Sequence, residues 1–399
     1  MFAYPWDLTD REPATIMAEL AGLGVDRLAL AVVYHSAETI APRRRQAVHT
    51  EIAAGAHLPL DDGAFADLRP ARAPLAGQHP GLFAGLAAAA DEHGIRLTAW
   101  TVALHNSVLA RARPDAALRN AFGDASTHGL CPANPVVRRY VLDLVAAIAR
   151  HGYFDEILLE SVAYLLAGHG HPHELHGVRL DPATKLLLSL CFCDSCLAEG
   201  ARRDVDGAGL RAWVTAELDR TWNSPLAVTR RPDEGAELSA LLVARQDLLA
   251  WVHMRQSVVT SLLAEVVAAS HGQAIATTGA IWARPAALSW MEGIDLAGLA
   301  RIAARLTITA YHPDLADVTR DIDHILAFAP PERVQLVQTL WPRHHGGVGG
   351  LLSKVEAALS AGISRIGLYN YGLAPAAALT WAREVNSLLS PGGSRRLDR

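Results

Sequence analysis

The four cysteines of this 399-residue chain are the residues whose spacing points most directly to chemistry. They are Cys131, Cys191, Cys193 and Cys196, the last three within the motif CFCDSC. A CxCxxC turn brings three thiolates together, and a fourth from elsewhere completes the tetrahedral sulfur set that Zn²⁺ prefers. Because the protein would fill all four coordination positions and leave none for water, we predict a structural zinc site. The alternative is a group of four buried free thiols.

The expected cellular setting also favours metal binding. The N-terminal segment turns polar at Asp7 without an apolar stretch behind a basic end, and no uncharged apolar run of ~18 residues follows. We therefore expect a cytoplasmic protein without a membrane partner. In a reducing compartment, clustered cysteines are more often metal ligands than disulfides. The formal net charge of −5 argues against a nucleic-acid partner, and homo-oligomerisation is left open.

Glu160 is the best single candidate for acid–base catalysis. It ends the otherwise apolar run 157–159, so its carboxyl group is expected at the edge of a desolvated core. Burial of this kind raises a carboxyl pKa toward the range that suits a general acid. The alternative role is a salt bridge to Arg284 at the rim of the same site.

A second catalytic group is harder to assign. Asp314 and Asp7 are both candidates for a partner carboxylate, although Asp7 is equally suited to capping the helix that begins near residue 10. Gln338 is a third candidate, since an amide can orient a water molecule or a substrate group. An inverting or substrate-assisted reaction would be required if no second carboxylate reaches the substrate.

Aromatic and hydrogen-bonding residues recur at the ends of the apolar runs. Aromatic rings stack on the C–H faces of sugars, and amide, imidazole and guanidinium groups bind hydroxyls. We therefore predict a small-molecule carbohydrate or glycoside as the ligand. The predicted substrate-binding residues are Trp6, Tyr34, His35, Trp100, His105, Asn106, Trp282, Arg284, Tyr311, His312, Trp341, His344, Tyr369 and Asn370.

The elements that must position these residues alternate between strands and helices. Short apolar runs without alternation are typical of parallel strands buried on both faces. The eight predicted strands are 2–6, 27–34, 96–104, 155–160, 274–281, 305–311, 333–340 and 365–371. Helical patterns occupy 12–23, 82–93, 135–150, 238–270, 295–304, 315–328, 349–361 and 375–388.

Eight such units predict an α/β fold, namely one (β/α)₈ barrel of the TIM type over 1–390. A doubly wound sheet is less favoured, because no glycine-rich phosphate loop follows the first strand. The zinc motif would lie in a long insertion after strand 4, at about 161–237. The tail 391–399 is predicted to be disordered.

The segment 131–200 carries the helix start CPANPVVR from Cys131, then Glu160 at the end of strand 4, then CFCDSC. In this order of features, the segment resembles that of the glycoside hydrolase family 42 β-galactosidases and related glycosidase-like barrels. The resemblance implies a glycosidase with Glu160 as general acid/base and a structural zinc. Two positions depart from the family pattern. Leu159 stands where the family has Asn, and Gln338 stands on strand 7, where the family's glutamate nucleophile is expected.

A histidine-rich loop leaves two other functions open. His169, His171, His173 and His176 follow Glu160 closely and suit metal binding, substrate contact or a solvated lid. The chain would then be a metal-dependent barrel hydrolase or isomerase. The glutamine at 338 keeps a third alternative open, a sugar-binding barrel without catalysis.

Overall fold

Eight parallel strands form a nearly closed barrel in the computed structural model, which describes residues 1–44, 47–168, 175, 177–178, 180–224, 234–280 and 285–390. Each strand pairs with the next one along the chain. Between the last and the first strand, the Tyr371 N–H donates to the Phe2 carbonyl at 2.8 Å. The predicted (β/α)₈ fold is thereby confirmed. The strands are β1 Phe2–Ala3, β2 Arg27–Tyr34, β3 Arg96–Val102, β4 Glu156–Glu160, β5 Ala274–Ala280, β6 Arg305–Thr309, β7 Val334–Thr339 and β8 Arg365–Tyr369.

The strands are buried on both faces, as their continuous apolar character requires. Side chains alternate between the two faces of a strand. On β4, Leu158 packs in the cluster inside the barrel, whereas Ile157 and Leu159 pack against the surrounding helices. The core therefore has two layers, and only the inner one reaches the mouth of the barrel.

Helices cover the outside of the barrel. The helix Pro135–Ala149 shows how the sequence starts one: the Asn134 side chain accepts a hydrogen bond from the Val136 N–H, and Pro135 occupies the first turn. None of the helices in the described ranges is long and apolar enough to cross a membrane. The helices are Pro13–Gly22, Pro74–Gln78, Leu82–Glu92, Ser107–Ala112, Pro135–Ala149, Pro182–Ser189, Asp194–Ala201, Gly207–Trp222, Glu234–Ala244, Gln246–Ala269, Leu296–Ile302, Leu315–Leu326, Pro342–His345, Val348–Ser360, Ala376–Leu379 and Trp381–Leu389.

Several boundaries differ from the sequence prediction. The first strand ends at Ala3, and Pro5–Leu8 forms a 3₁₀ helix, because proline sets a helical φ at its first position. The long helix predicted over 238–270 is two helices, separated at Arg245 by a non-helical backbone.

The loops that leave β2 and β3 contain structure that the hydrophobic pattern does not reveal. After β2, strands Ala37–Ile40 and His49–Ile52 form a hairpin, and Gly55–Ala56 pairs antiparallel with β2. After β3, strands Ala117–Arg119 and Ala125–Leu130 form a second hairpin. These segments are short and rich in polar residues, so periodicity alone gives no signal for them.

The insertion after β4 is held to the barrel by Trp251. This side chain is fully buried on the helix Gln246–Ala269 and stacks on Phe192, with ring centroids 5.1 Å apart. Gly200 and Gly207 lie directly against the indole ring, where a Cβ atom on either would overlap it. The two glycines are therefore required for close packing of the insertion on this helix.

We predict that Gly200→Ala lowers the free energy of unfolding by about 1–3 kcal/mol, because an added methyl group has no room beside Trp251. Urea unfolding followed by circular dichroism measures the change. Gly349→Ala is the matched control, since Gly349 lies in the helix Val348–Ser360 with nothing within 4 Å of the new Cβ. Equal stability of the Gly200→Ala variant and wild type would contradict the packing described.

Candidate active site

A cavity of about 220 Å³ opens at the C-terminal ends of the barrel strands. Most of its wall is aromatic, and Glu160 is the only carboxyl group among the described residues that line it. Three threonines, Thr278, Thr307 and Thr309, supply hydroxyl groups on one side. The remaining lining residues are Phe2, Tyr34, His35, Trp100, Leu158, Tyr311, Trp341 and Tyr369.

Glu160 receives a hydrogen bond from Trp100. The two strands are in parallel register, with Trp100 opposite Leu158 and Val102 opposite Glu160, so the indole reaches diagonally to the carboxyl group. The Trp100 Nε1–H donates to Glu160 Oε2 at 2.6 Å. Burial raises the pKa of Glu160 to about 7, and the hydrogen bond from Trp100 opposes this rise. A carboxyl group with a pKa of about 7 is protonated in a substantial fraction of molecules at neutral pH and can donate that proton.

Three tyrosines form a hydrogen-bonded group at the cavity wall and were only partly foreseen. The Tyr4 hydroxyl lies 3.0 Å from the Tyr34 hydroxyl and is also hydrogen-bonded to that of Tyr369. Burial raises the pKa of Tyr369 to about 12, so this hydroxyl stays protonated at neutral pH. Sequence reasoning missed Tyr4. Its position two residues after Phe2, on the same inward face, is the signal that could have found it.

The three candidates for a second catalytic group all lie outside the cavity lining. Asp314 is exposed at the start of the helix Leu315–Leu326. Gln338 is fully buried, and its Nε2 donates to the Ala310 carbonyl at 2.8 Å. Asp7 is buried against Gly372. Within the described residues, the cavity therefore presents one carboxyl group rather than two.

Asp7 is nevertheless an unusual acid. Burial raises its pKa to about 7, and the positive charges of Arg44 and Arg43 oppose the rise. Neither carboxyl oxygen has a hydrogen-bond partner among the described residues. The charge of Asp7, like that of Glu160, acts on the hydroxyl of Tyr369. Tyr369, which lines the cavity, is therefore close enough to be affected by both carboxyl groups.

Six predicted substrate-binding residues line the cavity: Tyr34, His35, Trp100, Tyr311, Trp341 and Tyr369. Two others belong to the packing behind it. Trp6 is buried and stacks on Tyr4 with ring centroids 4.3 Å apart, and His105 stacks on His35 at 4.4 Å. Both support the rings that form the wall.

Four further predicted residues have local structural contacts. The Asn106 side chain accepts a hydrogen bond from the Leu109 N–H and caps its helix, and that of Asn370 accepts one from the Gly372 N–H. His312 Nε2 is 2.7 Å from Asp321 Oδ2. His344 Nδ1 is 3.1 Å from the Thr339 hydroxyl. Trp282, Arg284 and the histidines at 169, 171, 173 and 176 lie outside the described residues.

Lys354 organises the rim and was not foreseen. Its side chain is buried, and its ammonium group donates to the carbonyls of His312 and His344, both at 2.7 Å. His345 Nδ1 lies 3.2 Å from the same nitrogen. One lysine therefore ties together the loops that follow β6 and β7. A lysine within an amphipathic helix gives no sequence signal for such a role.

The four cysteines converge as their spacing predicts. They are buried, and their sulfur atoms all lie within 4.8 Å of one another. The Cys131 sulfur is 3.4 Å from that of Cys193, 3.5 Å from Cys196 and 3.9 Å from Cys191. A tetrahedral zinc site with Zn–S bonds of about 2.3 Å has S–S edges of about 3.8 Å. The geometry and the donor set therefore fit a metal ion of this kind.

The surroundings of the cluster are suited to negative charge. Arg255 is fully buried, and within the described ranges no carboxylate forms an ion pair with it. Its guanidinium lies 4.4 Å from the centroid of the Tyr164 ring, and the Tyr164 hydroxyl is 3.6 Å from Cys196 Sγ. Burial lowers the pKa of Arg255, while Tyr164 and the cysteines counteract this effect. The cysteine cluster is therefore the electrostatic partner of this arginine.

Comparison with known proteins identifies the fold of this chain but does not assign the chain to a family. No family model and no curated protein matches it. Among solved structures, it resembles a β-galactosidase from Bacillus circulans sp. alkalophilus, with a TM-score of 0.55, 12% identity, and 97% of this chain and 55% of that chain covered. A β-galactosidase from the psychrophilic Marinomonas ef1 has a TM-score of 0.53 and 10% identity, with 97% and 59% covered.

A third similar structure is α-L-fucosidase isoenzyme 2 from Paenibacillus thiaminolyticus, with a TM-score of 0.50, 12% identity, and 95% and 46% covered. The chain spans about half the length of these three proteins. All three are glycoside hydrolases by name. At these identities, the likeness establishes a shared barrel fold and assigns no residue role.

We predict that Glu160 makes the stability of the protein depend on pH. Because its folded pKa of about 7 lies above its ordinary value of 4.5, the folded state keeps a proton that the unfolded chain releases between these limits. The contribution of Glu160 to the free energy of unfolding is fully favourable below pH 4.5 and is lost as the pH rises to about 7. Glu160→Gln should therefore gain stability relative to wild type between pH 5 and pH 8, by on the order of 2 kcal/mol.

Denaturant unfolding at the two pH values measures this difference. Glu92→Gln is the control, because Glu92 is exposed at the end of a surface helix and should follow wild type at both pH values. A Glu160→Gln variant with the same pH dependence as wild type would show that the carboxyl group is not desolvated.

Proposed function

We propose that the protein is a glycoside hydrolase in which Glu160 is the general acid/base. One observation carries this proposal: a single carboxyl group, with its pKa raised to about 7, ends β4 inside an aromatic cavity at the C-terminal mouth of the barrel. In (β/α)₈ enzymes, chemistry takes place at this end of the strands. The fold shared with β-galactosidases and a fucosidase agrees with this assignment.

The cavity suits a single sugar ring. Its volume of about 220 Å³ is below the ~300 Å³ at which pockets for drug-sized ligands begin. The indoles of Trp100 and Trp341 offer apolar faces to the ring, and the threonines offer hydroxyl groups to its polar edge. We therefore propose that the site receives one terminal sugar of a glycoside.

Glu160 would donate its proton to the glycosidic oxygen as the bond to the leaving group breaks. The hydrogen bond from Trp100 fixes the carboxyl group and leaves the other oxygen, Oε1, to carry the proton. A retaining enzyme also needs a carboxylate about 5 Å away, and the described lining contains none. We propose that a group of the substrate, or water that loses its proton to solvent, attacks the anomeric carbon. In the first case the ionised Glu160 then takes the proton of the water that releases the sugar, and in neither case does a glycosyl ester form on a carboxylate of the described lining.

A sugar-binding protein without catalysis is the second candidate. The observation that favours it is that the described lining contains one carboxyl group and no second. Turnover of any glycoside separates the two functions, because a binding protein would hold the sugar without releasing the leaving group.

We expect Glu160→Gln to lower kcat for a nitrophenyl glycoside by about 10²–10⁴-fold, since protonation of the leaving group is lost. The loss should be smaller for a dinitrophenyl glycoside, whose leaving group departs without a proton. In wild type, kcat should fall as the pH rises through about 7, where Glu160 loses its proton. The measurement is steady-state hydrolysis across a panel of monosaccharide glycosides.

Glu92→Gln again serves as the control and should retain full activity. If Glu160→Gln hydrolyses both leaving groups as fast as wild type does, Glu160 is not the acid. If wild type binds a sugar but hydrolyses none of its glycosides, the binding function replaces the enzymatic one.

We further propose that Cys131, Cys191, Cys193 and Cys196 hold a structural Zn²⁺. The S–S distances and the buried, positively charged Arg255 support this assignment. Four thiolates around one Zn²⁺ carry a net charge of −2, which compensates the guanidinium. The metal would stabilise the insertion that directly follows Glu160, and it would have no open position for substrate.

Purified protein should contain one zinc per chain by inductively coupled plasma mass spectrometry. We expect Cys196→Ser to lose the metal and to lower the unfolding temperature by about 5 °C or more, because metal-binding energy contributes to folding. The neighbouring Ser195→Ala is the control and should keep both the zinc and the stability. A stable wild-type protein without metal would refute the zinc site.

A further inference from the structure

A second large cavity lies at the opposite end of the barrel. It has a volume of about 480 Å³ and is lined by residues from the N-terminal ends of the strands. Four of the eight strands, β2, β3, β6 and β8, begin with arginine, and all four arginines line this one cavity. They are Arg27, Arg96, Arg305 and Arg365, which we call the floor arginines.

The strand register brings two floor arginines side by side. Arg27 and Arg96 are direct partners on the neighbouring strands β2 and β3. Like charges at directly opposed positions of a sheet destabilise it. Arg365 is paired with Gln335, which lines the same cavity and offers it no negative charge. The arrangement therefore concentrates positive charge where the sheet itself does not compensate it.

Only one floor arginine has a carboxylate partner among the described residues. Arg305 is buried and pairs with Glu156 through both terminal nitrogens. Arg27 donates to the Thr98 hydroxyl at 3.3 Å, and within the described ranges no ion pair forms with it, with Arg96 or with Arg365. Asp26 is the only carboxylate in the described lining. At least two positive charges are left without a counter-charge.

We propose that this cavity binds a phosphate dianion or a phosphate monoester. Guanidinium groups match the oxygen spacing of phosphate and bind it through paired hydrogen bonds. A dianion would compensate the two excess charges, and Gln335 and Ser364 would complete the polar contacts. The cavity is larger than a phosphate ion, so it has space for the organic part of an ester. The site lies at the other end of the barrel from Glu160 and is independent of the proposed hydrolase activity.

Isothermal titration calorimetry of the full chain with inorganic phosphate and with a hexose 6-phosphate tests the proposal. The titrations are made at constant ionic strength with chloride as the balancing anion. We expect saturable binding of one anion per chain. The double variant Arg96→Gln/Arg365→Gln should bind at least about tenfold more weakly, because two charge-assisted contacts are lost.

Arg150→Gln is the matched control, since Arg150 is an exposed arginine at the end of the helix Pro135–Ala149. It should bind the anions as wild type does. A folded double variant is recognised by its circular dichroism spectrum and by an unfolding temperature in chloride that is equal to or above that of wild type. Removing two of the four like charges should not destabilise the barrel floor.

Phosphate should raise the unfolding temperature of wild type and Arg150→Gln but not of the double variant. Tighter binding of the hexose phosphate would identify an ester as the ligand, and tighter binding of inorganic phosphate would identify the ion itself. The absence of saturation in wild type would overturn the proposal. Undiminished binding by the double variant, or an equal effect of chloride, would also overturn it. None of these outcomes bears on the hydrolysis of glycosides.

Discussion

The register between β3 and β4 is the constraint on which the rest of the site depends. It places Trp100 diagonally across from Glu160 on the inner face of the barrel. The indole N–H of Trp100 therefore donates a hydrogen bond to the Glu160 carboxyl group, which has few other polar neighbours. A slip of β4 by one residue would turn the Glu160 side chain out of the barrel and away from Trp100. The aromatic wall depends on the same register, because the Trp100 ring also packs against Tyr4, Tyr34 and Tyr369. The polarity of the cavity and its shape thus have one common origin.

The wall combines two properties that are usually opposed. Aromatic rings exclude water and raise the pKa of the carboxyl group, whereas the tyrosine hydroxyls and the threonines keep the surface able to bind a polar ligand. The tyrosine hydroxyls bind each other, so each is satisfied without a charged partner. At the rim, the buried Lys354 is likewise satisfied without an acidic partner, because its ammonium group donates to backbone carbonyl groups rather than to carboxylates. The only acid in the described lining is then Glu160, the proposed general acid.

The sequence predicted the barrel well because buried parallel strands have a strong and simple pattern. All eight strands lie where continuous apolar runs end at polar or aromatic residues, and the four cysteines converge as the CxCxxC spacing indicates. The residues that contact Glu160 were harder to predict, since they depend on which side chains at the strand ends face the inside of the barrel. Gln338 shows the limit: it lies one residue before the end of β7, yet its amide donates to the Ala310 carbonyl behind the cavity wall. Tyr4 and Lys354 are set by tertiary contacts, which no local pattern contains.

Two side chains, Phe2 and Leu158, line both the cavity around Glu160 and the cavity at the barrel floor. The inside of the barrel is therefore divided by a septum about one side chain thick. Phe2 also meets the Trp100 ring edge-on, with centroids 5.3 Å apart, so the septum is part of the support of the indole that holds Glu160. A shorter side chain at either position would thin this septum and withdraw packing from both cavities at once. The size of these two residues thus couples the shape of one cavity to that of the other.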